Sequence, residues 1–60
     1  MVTREQKIKE LLEDAERMNN EEGVGIDLEA LALEYKTMDD DTLDYGYLLM
    51  KIAEVFREEE

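Results

Sequence analysis

Sixty residues with 18 acidic and 7 basic side chains carry a net charge of −11 and leave room for one domain, spanning 1–60. With neither cysteine nor histidine, disulfides, thiolate metal sites and the commonest transition-metal ligand are excluded. The negative surface argues against direct nucleic-acid binding and against an anionic membrane, and it favours basic protein partners.

High charge with few aromatics is also a mark of disorder, but 43% of the residues are hydrophobic and they recur at helical spacing. A chain this short buries only about 60% of the surface its unfolded form exposes. Without disulfides or metals, self-association or a partner is the remaining means of reinforcing it. No long apolar stretch reads as a signal peptide or a membrane span, so the cytoplasm is the default compartment.

The first helix is expected over 3–19. Thr3 is its N-cap and Gln6 completes a capping box. Ile8, Leu11, Leu12, Ala15 and Met18 share one face, and Glu10, Glu13, Asp14 and Arg17 lie opposite. Glu5–Lys9 and Glu13–Arg17 are spaced for i,i+4 ion pairs. Asn19 and Asn20 are expected to end the helix before a loop loosened by Gly23 and Gly25.

The second helix is expected over 27–37, opened by Asp27 as N-cap with Ile26 and Leu31 as a hydrophobic staple. Leu28, Leu31, Ala32 and Tyr35 form one face, and Ala30 and Leu33 extend the apolar surface around the other side. Such a helix is expected to lie sandwiched at the centre of the fold.

The third helix is expected over 39–57, capped by Asp39, with Met38 and Leu43 as a second staple. Asp40 and Asp41 sit where the helix dipole favours negative charge. Tyr45, Leu48, Leu49, Ile52, Val55 and Phe56 form its largest apolar face and are expected to be core. Glu58, Glu59 and Glu60 stand at the wrong end of the dipole and are expected to fray. Together the elements describe an all-α, compact three-helix bundle, with a dimer as an option.

Chemistry is sparsely provided. Without Ser, His or Cys, no familiar nucleophile–base pair can be built, and paired carboxylates need a water-excluding cleft that so short a chain seldom forms. The chain therefore reads as a binding protein and not an enzyme, with no cofactor. The Asp39–Asp44 segment fails the calcium-loop pattern: Leu43, Asp44 and Met50 occupy the fifth, sixth and twelfth positions, which call for an oxygen ligand, a glycine and a glutamate. A helix–turn–helix reading of the last two helices fails on charge.

The feature weighted most is a second stripe on the third helix, Leu43, Tyr47 and Met50, about 160° from the presumed core face. Gly46 beside it would let another backbone approach. The stripe either packs inside the chain's own fold or anchors a partner. On the second reading, Leu43, Gly46, Tyr47 and Met50 anchor the contact while Asp40, Asp41, Asp44, Glu10, Glu13 and Asp14 steer a basic protein surface towards it. The expected function is that of a small acidic inhibitor or regulator occupying a basic, nucleic-acid-binding groove as a charge mimic. By analogy alone, compact phage and plasmid proteins that disarm host machinery share this character. The alternative is a homodimeric self-association module built on the same stripe.

Overall fold

A computed structural model describes residues 2–58 and consists, among them, of three helices without strands: α1 (Arg4–Glu22), α2 (Leu28–Thr37) and α3 (Asp40–Glu58). The fold is the all-α three-helix bundle that the hydrophobic periodicity predicts. Glu58, expected to fray, is the last residue of α3, while Glu59 and Glu60 lie outside the described residues.

α1 begins as its capping residue dictates. The Thr3 hydroxyl accepts from the Gln6 backbone N–H at 3.1 Å, which satisfies one of the orphan donors of the first turn. The helix runs a turn beyond Asn19 and Asn20 and stops at Gly23. There a left-handed conformation (φ 63°, ψ 36°) lets the Gly23 N–H reach the Asn19 carbonyl, a conformation open to glycine at little cost. Asn19 ends nothing. Its side-chain amide instead brackets Ile26, donating to that residue's carbonyl at 2.9 Å and accepting from its N–H at 2.7 Å. The loop expected to be loose is thus folded back onto the helix that precedes it.

Asp27 caps α2 by accepting from the N–H groups of Glu29 and Ala30. At the other end of α2, Arg4 reaches across from the first turn of α1. Its guanidinium donates to the carbonyls of Tyr35 (3.0 Å), Lys36 (3.2 Å) and Met38, and pairs with Asp40. One side chain thus closes the last turn of α2, whose carbonyls lack intrahelical partners, and ties it to the starts of α1 and α3.

The order of packing differs from expectation. α1 is the central element, contacting both α2 and α3, while α2 and α3 barely meet. α2 has no buried residue, and Leu33 on its outer side stands 64% exposed. Its apolar circumference therefore does not mean a sandwiched position. The buried core is small and lies between α1 and α3. Leu11, Leu43 and Met50 form its centre, with Ile8, Tyr35, Met38 and Tyr47 packed around them and Ala15 buried nearby. Leu43, at 1%, is the most enclosed of these.

The two apolar sides of α3 are exchanged relative to the sequence reading. Leu43, Tyr47 and Met50 turn inward against α1, so the stripe proposed as a partner anchor is internal. Tyr45, Leu48, Leu49, Ile52, Val55 and Phe56, expected to be the core, all face water.

Candidate functional site

The inward stripe is fixed by the polar groups beside it. Lys7 of α1 pairs with Asp44. One turn on, the Glu10 carboxylate accepts from the Tyr47 hydroxyl and from the Lys51 ammonium, each at 2.7 Å. Asp44, Tyr47 and Lys51 are spaced along one edge of α3, and Lys7 and Glu10 along the matching edge of α1. Lys51 also stands 5.3 Å from the Tyr47 ring centroid and 3.7 Å from Glu54, a geometry in which the ring face attracts the cation.

This arrangement moves three titrations. The hydrogen bonds from Lys51 and then Tyr47 hold the Glu10 carboxyl below its ordinary 4.5. The same carboxylate raises Lys51 above its ordinary 10.5 and raises Tyr47 above 10.0. Each shift favours the form that keeps the hydrogen bonds. Asp39, the residue before α3, is likewise held below its ordinary 3.8, first by a hydrogen bond from the Thr42 side chain. Its backbone carbonyl accepts from the Leu43 N–H at 3.0 Å, the first bond of α3, which puts Asp39 at the N-cap position the sequence suggests.

Among the described residues two surfaces have a uniform character that a partner could read. The first is an acidic cleft of about 300 Å³ between α1 and α3, lined by Glu10, Glu13, Asp14, Glu54 and Arg17. It gathers three of the carboxylates singled out in the sequence and adds Glu54, which linear spacing gave no reason to place beside them. Asp14 pairs with Arg17, so the Glu13–Arg17 pair expected from spacing is not made. Glu13 is exposed and has no ion-pair partner among the described residues. A larger groove of about 680 Å³ between α1 and α2 mixes Lys9, Lys36 and Arg4 with Glu5, Glu13 and Glu16 over Ile8, Leu12 and Leu28. It selects neither sign of charge.

The second surface is the outward side of α3. From Tyr45 (65% exposed) to Phe56 (68%) it presents six large apolar side chains in unbroken succession. It lies on the opposite side of α3 from Glu54 and the acidic cleft, as the 100° per residue of a helix requires.

The other residues weighed in the sequence are dispersed. Asp40 and Asp44 are held in ion pairs with Arg4 and Lys7, and Asp41 is exposed without a partner among the described residues. Gly46 makes no close approach: a Cβ built there meets nothing within 4 Å. Among the described residues no three carboxylates are placed to hold a metal ion, and no helix is long and apolar enough to cross a membrane. No family model, curated protein or solved structure matches the chain.

Proposed function

We propose that this chain is a small acidic protein-binding regulator that occupies a basic surface of a larger protein as a charge mimic and does no covalent chemistry of its own. The observation that supports this reading is the convergence of Glu10, Glu13, Asp14 and Glu54 on one cleft in a chain of net charge −11. Five of the seven basic residues, Arg4, Lys7, Arg17, Lys51 and Arg57, already pair with carboxylates of the same chain. The excess negative charge is therefore left to face outward. Within the cleft, Glu10 and Glu54 hold Lys51 and Asp14 holds Arg17, so a lysine or arginine of a partner gains its charge-assisted hydrogen bond first at Glu13, and the wider field steers the encounter.

The test is displacement of a fluorescent oligonucleotide from a panel of basic nucleic-acid-binding domains. The chain is expected to displace it from at least one, with an affinity that falls steeply as salt rises. The double reversal Glu13→Lys and Glu54→Lys should abolish that displacement while far-UV circular dichroism stays helical. Displacement indifferent to salt, or untouched by the double reversal, would sink the proposal.

A further inference from the structure

The outward side of α3 is the strongest unexplained feature of the molecule, and we infer that it seats a second copy of the chain, α3 against α3, in an antiparallel homodimer. Tyr45, Leu48, Ile52 and Val55 follow the alternating three- and four-residue steps of a heptad seam, with Leu49 and Phe56 widening it along one side. From their exposures, these six side chains offer about 600 Å² to water, the upper end of what a monomer leaves in one patch. Two such patches face to face can remove up to about 1,200 Å², which reaches the lower bound of a specific protein interface. The chain has reason to use that area. Among the described residues only Leu11, Ala15, Leu43 and Met50 are buried hydrophobics in the single copy, a thin core for a domain of this length without a disulfide.

The seam itself suits a second copy better than a basic partner. None of its six residues carries a charge, and the nearest cation on α3, Lys51, is already held by Glu10 and Glu54. An antiparallel arrangement sets Tyr45 across from Phe56 of the second copy, and Leu49 across from its Ile52. It also keeps the two acidic starts, Asp39 to Asp41, at opposite ends and opposes the helix dipoles. A parallel pair would stack those aspartates on one another. A symmetric interface needs only one self-complementary patch, and this one leaves the acidic cleft open on the far side of α3.

Light scattering on the chain alone, over a range of concentration at low and high salt, tests this without reference to any partner. A mass of twice the chain's 7.1 kDa is expected, falling to the single mass on dilution. Salt should strengthen the dimer or leave it unchanged, because it screens the repulsion between two acidic bodies. This is opposite in sign to the salt response expected of a basic partner, so the two readings fail separately. Ile52→Lys should weaken dimerisation by about 30-fold or more, as for a central interface residue, with the helical signal retained. Val55→Lys serves as a second probe, and Leu33→Lys on α2 should change nothing. Mixing Tyr45→Cys with Phe56→Cys under oxidation should give a crosslink between the two variants. A single mass at every concentration, or a dimer that survives both Ile52→Lys and Val55→Lys, overturns the proposal. Crosslinking of each cysteine variant only to itself overturns the antiparallel arrangement.

Discussion

The inward side of α3 presents Leu43, Tyr47 and Met50 to α1, while the outward side presents six larger apolar residues to water. Apolar area alone would reverse this choice. Burial brings the flanking polar groups with it, and those must keep their partners. Asp44, Tyr47 and Lys51 border the inward stripe, where Lys7 and Glu10 meet them. Turning the larger side inward would give up those three contacts. Within the single copy, the smaller stripe with a matched polar border prevails.

Truncating one leucine on each side of α3 separates the two most clearly. Leu43→Ala removes the most enclosed side chain and is expected to cost about 2–5 kcal/mol. A domain of this length has about 3–9 kcal/mol in total, so urea denaturation should find Leu43→Ala largely unfolded or close to it. Leu48→Ala, on the exposed side, should cost less than about 0.5 kcal/mol when the chain is dilute and single. Its cost should grow with protein concentration as the second copy docks. Equal losses for both variants at high dilution would mean that the two sides are not distinguished as described.

The junction held by Arg4 comes next. Replacing it with methionine keeps much of the apolar stem and removes the donors to Tyr35, Lys36 and Met38. The expected loss is about 1–2 kcal/mol, the lower range for hydrogen bonds from a charged group, since the site is partly open to solvent. Hydrogen exchange should show the last turn of α2 losing protection before the rest of the chain. Uniform loss of protection would argue against a local role. Gly46→Ala acts in the other direction. It sits mid-helix with free space where its Cβ would go, so the variant should be stabilised by about 1 kcal/mol from helix propensity. A destabilised variant would show that this side of α3 does receive a close neighbour.

How much of this was legible in the sequence follows from which interactions are local. Thr3 with Gln6, Asp27 with the first turn of α2, and Asp39 before α3 are contacts over two or three residues. Helix number, type and boundaries followed from them to within a turn. The extension of α1 to Glu22 depends on Gly23 adopting a left-handed conformation, and a glycine at that position was a signal for the stop. The choice between the two sides of α3 depends on contacts across 37 to 41 positions, beyond the reach of one helix's periodicity. The opposite charges of Lys7 with Asp44 and Glu10 with Lys51 were present in the sequence. Matching charge stripes between helices, instead of ranking apolar stripes within one, would have pointed to the observed packing. The acidic cleft was half legible: Glu10, Glu13 and Asp14 are close in sequence, while Glu54 joins them only through the packing of α3 on α1.

Glu10 tests the polar border itself. Glu10→Gln keeps the shape of the side chain but removes the charge that accepts from Lys51 and Tyr47. Because folding holds the Glu10 carboxyl below its ordinary 4.5, its stabilisation is complete above that value and is lost as pH falls through the lowered one. Folding raises Lys51 above 10.5 and Tyr47 above 10.0; their contributions are present below those ordinary values and are lost only as pH rises through the raised ones. The stability gap between wild type and Glu10→Gln should therefore be level between pH 4.5 and 10.0 and close progressively in acid. The remaining carboxylates are common to both proteins, so relief of general repulsion at low pH largely cancels in the difference. Glu13→Gln, on an exposed residue with no ion-pair partner among those described, serves as the control and should leave stability close to that of the wild type. A Glu10→Gln gap that persists undiminished at pH 3 would mean the side chain acts by packing, and the polar border would no longer explain why the smaller stripe of α3 is the buried one.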